Sequence, residues 1–229
     1  MAVELVVFDL AGTTVQDNKD VSRVLQNSMA KSDVLVSLED AALLMGIPKP
    51  IAIRSLLEKN YKGSRDIDDE WIDSIHRDFV LEMIQFYKFH PSVREKEGTS
   101  DTFLKLKMRG IKIAVDTGFD RETTIPLLER MGWDRNELLD CSVTSNEVPR
   151  GRPYPDMIFK AMALTRVFEV SHVAKVGDTA SDMQQGMAAG CRWVIGVTSG
   201  AYTKEELTKE KHTHLIESIS EVLSILNVN

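Results

Sequence analysis

The sequence predicts an α/β protein: a doubly wound, Rossmann-like parallel sheet core with an inserted α-helical cap domain. Three observations predict it. Five short apolar runs rich in β-branched residues recur along the chain, and beyond the first they alternate with single helix-like segments. One long stretch after the first run has helical periodicity and no convincing strand. Strands that alternate with helices form β-α-β units with right-handed crossovers.

The first run, Val3 to Phe8, ends at Asp9 and is followed by Gly12. A near-continuous apolar run of that length suits a strand buried on both faces. From Val21 to Phe89 the pattern changes. Val21, Val24, Leu25, Ser28 and Met29 share a helical spacing, and so do Trp71, Ile75, Phe79, Met83 and Phe86. Gly46 to Pro50 breaks the helical pattern between residues 41–45 and 51–57, and Lys62 to Asp66 marks another loop. Residues 1–16 and 91–229 therefore read as the α/β core and residues 17–90 as the cap. The core resumes near His90-Pro91 with a helix over Thr102 to Met108, stopped at Gly110. Then come a strand (Ile111 to Val115), a helix (Arg121 to Met131) closed by Gly132, and a strand (Cys141 to Val143). A helix over Asp156 to Leu164 follows Pro153 and Pro155. The Val173 to Val176 strand, the Asp182 to Ala189 helix ended by Gly190, and the Trp193 to Val197 strand complete the sheet. The charged segment Lys204 to Lys211 reads as a solvated helix face.

Composition narrows the function. The 229 residues are 43% hydrophobic and 28% charged, enough for a full core in one or two domains. A net charge of -7 argues against a nucleic-acid partner, which calls for a basic surplus or stripe. No apolar run approaches the roughly 20 residues that span a bilayer. The opening, Met1 to Asp9, lacks the basic region of a signal peptide. The two cysteines, Cys141 and Cys191, are expected to be buried reduced thiols, and the chain cytoplasmic. A homodimer is left open.

The chemistry sits at strand ends. A carboxylate at the C-terminal end of the first strand stands where parallel sheets bind ligands, and here it is Asp9. Alone it also fits an ordinary Asp-x-x-Gly turn. Val176-Gly177-Asp178-Thr179 ends another strand, and Asp182 lies one helical turn beyond. Alone, that pair also fits helix capping. Together the carboxylates repel one another unless a hard cation neutralises them, and Mg²⁺, which takes carboxylate, carbonyl and water oxygens, suits the set. Asp116-Thr117-Gly118 closes the Ile111 strand with a hydroxyl and a tight turn, and Arg152 precedes the Pro153-Tyr154-Pro155 helix start.

This ordered combination resembles the haloacid dehalogenase superfamily of phosphotransferases and hydrolases, with the helical insert in the place of that superfamily's mobile cap. The resemblance implies Asp9 as the nucleophile that forms an aspartyl-phosphate. It implies Thr117, Gly118 and Arg152 on the phosphoryl group, Asp9, the Ala11 carbonyl and Asp178 around Mg²⁺, and Asp182 in support. The superfamily's phosphatases usually carry a general-acid Asp two residues after the nucleophile; Ala11 stands there. An ester leaving group expelled without that acid forfeits roughly 10²–10⁴-fold in rate.

The cap offers another route. Asp9-x-Ala11-Gly12-Thr13-Thr14 together with Met45-Gly46-x-x-Lys49 is similar to the phosphonoacetaldehyde hydrolase branch. In that branch a lysine imine turns the departing carbanion into an enamine, so no acid at the Ala11 position is needed. Lys49 is expected in a loop between two cap helices, facing Asp9 on closure; by itself it also fits a solvated loop lysine. The branch's histidine three residues after the lysine is replaced by Ala52, leaving His76 and His90 as histidines that approach only through the fold. The expected substrate is phosphonoacetaldehyde or a close phosphonate aldehyde. An ordinary phosphomonoesterase acting on a small phosphorylated metabolite is the alternative.

Overall fold

Every residue of the first strand, β1 (Leu5–Asp9), is buried, as a strand covered on both faces requires. The computed structural model describes residues 2–228; Met1 and Asn229, the outer ends of the expected core, lie outside the described residues. The other strands are β2 (Lys112–Thr117), β3 (Cys141–Thr144), β4 (Val173–Gly177), β5 (Trp193–Val197) and β6 (His214–Ile216). They form one sheet in the order β3-β2-β1-β4-β5-β6, with every pairing parallel. β6 escapes the sequence reading because its three residues, His-Leu-Ile, are too short and too mixed to register as a run.

Four helices fill the insert: α1 (Asp20–Lys31), α2 (Leu38–Ala42), α3 (Lys49–Asn60) and α4 (Asp69–Phe89). Asp68 caps α4 by accepting the Trp71 N–H at 2.9 Å, and Trp71, Ile75, Phe79 and Met83 bury its apolar stripe. Beyond the insert, α5 (Thr99–Met108), α6 (Arg121–Met131), α7 (Asp156–Thr165), α8 (Ala180–Ala189), α9 (Lys204–Leu207) and α10 (Glu221–Ile225) connect and flank the strands.

Three expectations need correction. The helix expected over residues 41–45 lies at Leu38–Ala42, where the Ser37 side chain accepts the Asp40 N–H. Lys49 is not in a loop: it opens α3, with Pro48 before it and Pro50 after it. Proline suits a first turn, whose N–H groups have no intrahelical partner, so Pro-Lys-Pro starts this helix rather than breaking one. The charged segment from Lys204 is helical only as far as Leu207.

Phe8 of β1 packs on Phe103 of α5 with ring centroids 5.0 Å apart, and Phe103 meets Trp133 at 5.2 Å. The insert is seated through Phe119, just beyond β2, whose ring lies 6.3 Å from Phe79 and 5.8 Å from Tyr87 of α4. Among the described residues, no helix is long and apolar enough to cross a membrane.

Candidate active site

In this strand order the connections leave β1 and β4 in opposite directions, so a crevice opens beyond their C-terminal ends. Asp9 is the last residue of β1, and Asp178 follows β4 directly. Between Asp9 and Val15 the chain turns back on the Leu10 carbonyl, which accepts the Thr14 N–H at 2.9 Å and the Val15 N–H at 2.8 Å. Gly12 sits at φ +91°, and a Cβ there would collide with the Asp178 carboxylate. That collision point shows how closely the first loop approaches the β4 end.

Carboxylate oxygens of Asp9, Asp178 and Asp182 lie within 4.8 Å of one another, and all three residues are buried. Two cations join them. Arg152 is buried, with Nη2 2.7 Å from Asp9 Oδ1 and 2.6 Å from Asp116 Oδ1, and Nη1 2.9 Å from Asp182 Oδ1. Lys175, in the middle of β4, pairs with Asp116 and lies 3.0 Å from Asp182 Oδ1. Burial would raise the Asp182 carboxyl, but Arg152 and Lys175 outweigh it and hold the group below its usual range. Asp178 has no such partner. Thr13 Oγ1 donates to its Oδ1 at 2.9 Å and the Ala201 N–H to its Oδ2 at 2.6 Å. Burial, then the nearby Asp9 and Asp182 charges, push it well above the carboxylate range. Asp9 is pushed up to about 6 by burial, which Arg152 only partly offsets.

Asp9, Asp116, Asp178 and Asp182 thus set four buried carboxylates against the buried cations Arg152 and Lys175 and, across the cavity, the Lys49 amine. A divalent ion would offset the surplus of negative charge. The donors fit a hard cation: Asp9 and Asp178 offer carboxylate oxygens to one crevice, and among the described residues no cation forms an ion pair with Asp178, Lys96 acting on it only from a distance.

Above this cluster lies a cavity of about 30 Å³, lined by Asp9, Ala11, Asp17, Lys49, Thr117 and Phe119 among others. Lys49 is buried, with Nζ 5.3 Å from the Phe119 ring centroid and 5.9 Å from that of Phe79. It donates to the Ile47 carbonyl at 3.4 Å. Burial, then the Arg152 charge, bring its pKa down to about 8 against the opposing pull of Asp9 and Asp17. An amine near neutrality beside a buried carboxylate is equipped for carbonyl chemistry.

The other expected residues divide by depth. Thr117 ends β2, where its Oγ1 accepts the Phe119 N–H at 3.2 Å, and it lines the cavity together with Gly118. A Cβ on Gly118 would stand 2.9 Å from the Gly46 and Ile47 carbonyl oxygens, so this is where the insert rests on the core. Asp178, Asp182 and Arg152 are buried and do not line this cavity, and Arg152 instead reaches the neighbouring groove. A groove of about 620 Å³ runs past the far side of Lys49, between Pro48, His76 and Tyr154. His90 is exposed and stacks on Phe86, away from the cavity.

Asp116, Lys175 and Asp17 were not singled out from sequence. A lone charge inside an apolar strand, as in Val173-Ala174-Lys175-Val176, was the available signal for the first two: a fully covered strand has no solvent to receive it.

The description "Haloacid dehalogenase-like hydrolase" matches residues 6–197 of the chain. A phosphonoacetaldehyde hydrolase of Bacillus cereus (strain G9842) is 33% identical, covering 97% of this chain and 87% of the relative. Among solved structures, a phosphonoacetaldehyde hydrolase-like protein from Oleispira antarctica superposes with a TM-score of 0.83 at 21% identity, over 99% of this chain and 92% of the other. A predicted phosphoglycolate phosphatase from Haemophilus somnus superposes with a TM-score of 0.78 at 19% identity, over 97% of each chain.

Proposed function

Because the chain belongs to the haloacid dehalogenase-like hydrolases, we propose that its cavity cleaves the P–C bond of phosphonoacetaldehyde or a close phosphonate aldehyde. One observation carries this reading: Lys49, buried and lowered to about 8, shares the cavity with Asp9 while Ala11 leaves the ester-cleaving acid position empty of any carboxyl. The 33% identity to a phosphonoacetaldehyde hydrolase supports it.

Arg152, paired with Asp9 at 2.7 Å, and Thr117 with Gly118, which line the cavity, orient the phosphonate against Asp9. The neutral Lys49 amine condenses with the aldehyde and forms an imine. Asp9 then attacks phosphorus, the P–C bond breaks, and its electron pair passes into the imine to give an enamine. Water hydrolyses the aspartyl-phosphate and the protonated enamine, releasing phosphate and the aldehyde. Mg²⁺ bound by Asp9, the Ala11 carbonyl and Asp178, with Asp182 behind them, would screen the phosphonate charge and polarise the phosphorus. Closure of the insert keeps bulk water from the imine. A cytoplasmic location belongs to the same reading: Cys141 and Cys191 are unpaired thiols, the state a reducing compartment maintains.

Phosphate release from phosphonoacetaldehyde and from phosphoglycolate, in wild type and Lys49→Arg, tests the reading. Wild type should act on the phosphonate, and the variant should lose that activity. Faster release from phosphoglycolate, unaffected by the substitution, would favour the phosphomonoesterase alternative.

A further inference from the structure

One carboxyl group in the cavity has no part in the chemistry above. Asp17 lies on the path from the core into α1 and lines the cavity with Asp9, Ala11 and Lys49. Its Oδ1 accepts the Asp20 N–H at 2.7 Å and the Val21 N–H at 3.3 Å. Both bonds fall on one oxygen, so the side chain is fixed at the start of α1 while Oδ2 takes no part in either. Asp17 and Lys49 line the same cavity and influence each other's protonation, yet among the described residues they form no direct ion pair. Burial raises the Asp17 carboxyl above its usual range, favouring the protonated form a donor needs.

Imine formation needs such a donor. Hydroxide is a poor leaving group, and the cavity has no acid at Ala11 to help it depart. Resting on the imine reading, we infer that Asp17 is the acid–base catalyst of the Lys49 imine. The Lys49 amine adds to the aldehyde carbon; a C–N bond forms, the carbonyl pair moves to oxygen, and the nitrogen's surplus proton passes to that oxygen. The Asp17 carboxylic acid then protonates the carbinolamine hydroxyl. The C–O bond breaks, water leaves, the nitrogen lone pair completes C=N, and Asp17 is left as carboxylate. After P–C cleavage and protonation of the enamine carbon from solvent, water adds to the product iminium and Asp17 takes its proton, which restores the acid. The carbinolamine then collapses to aldehyde and free amine.

Asp17→Asn separates this role from a structural one. The amide keeps an oxygen for the Asp20 and Val21 N–H groups but has no proton to transfer. Phosphonoacetaldehyde and borohydride are added to wild type and variant, and the adduct at Lys49 is followed by mass spectrometry against time. The variant should accumulate it at least ~10²-fold more slowly while melting at the wild-type temperature. Asp17→Ser, which also offers α1 an oxygen acceptor, should be equally slow, and Asp17→Glu should recover part of the rate. Trapping at the wild-type rate in Asp17→Asn or Asp17→Ser would overturn the assignment to Asp17 and leave the imine standing. No adduct in wild type would overturn the imine reading, and this inference with it.

Discussion

Lys49 sits where its own charge is disfavoured, by burial first and then by the field of Arg152. A fall from 10.5 to about 8 places on the order of 3 kcal/mol against the charged form. The sign follows from linkage: between about 8 and 10.5 the unfolded lysine is protonated and the folded one is not, so stability rises with pH across that window and is lowest below it. Lys49→Met should therefore raise the melting temperature at pH 7, with the advantage shrinking above pH 8; an unchanged difference from pH 7 to 10 would show that no charge is buried there. Asp9→Asn should fold normally and release no phosphate, since the amide is close in shape but a far poorer nucleophile. Phosphate release by that variant at a substantial rate would leave Asp9 as a ligand only. Asp9, Asp178, Asp182 and Arg152 were legible in the sequence because each stands beside a strand end or helix start. The state of Lys49 was not, because Pro48-Lys49-Pro50 reads as a break until the helix beyond it is seen.

At the scale of elements, β1, β2 and β4 bring their charges to one end of the sheet, and β4 also carries one within it. Lys175 is buried with Asp116 and Asp182 as partners, so Lys175→Met removes a cation and leaves carboxylates under-compensated. A loss of about 3–5 kcal/mol is expected in urea unfolding, and Lys175→Met combined with Asp116→Asn should recover part of it. A loss below 1 kcal/mol would mean that Arg152 alone suffices. The β4 end also predicts a metal effect. Mg²⁺ at about 100 times its Kd should stabilise wild type by about 2.7 kcal/mol, and Asp178→Asn should abolish the gain. The covered strands were legible as unbroken apolar runs. β6 was not, since an edge strand of three residues leaves no run to detect.

For the whole molecule, the alternation of strands and helices conveyed the architecture, but not how tightly the insert closes. A cavity of about 30 Å³ has room for only about one or two waters as the structure stands. On the proposed reaction, substrate arrives with the insert lifted and catalysis follows its return. The contact that sets the closed position is Gly118 under the Gly46 and Ile47 carbonyls, where a methyl group would intrude. Gly118→Ala should hold the insert ajar: amides around residues 46–52 should exchange faster with deuterium, and kcat should fall. Unchanged exchange would place the closing contact elsewhere.

The central claim is that Lys49 forms a covalent imine on the way to P–C cleavage. Borohydride added during turnover of phosphonoacetaldehyde with Mg²⁺ tests it most directly, read by activity and by peptide mass. The account predicts irreversible inactivation with the reduced adduct on Lys49, and in Lys49→Arg neither adduct nor phosphate release. Phosphate released from phosphonoacetaldehyde by Lys49→Arg at the wild-type rate, with no adduct on Lys49 in the wild type, would contradict it.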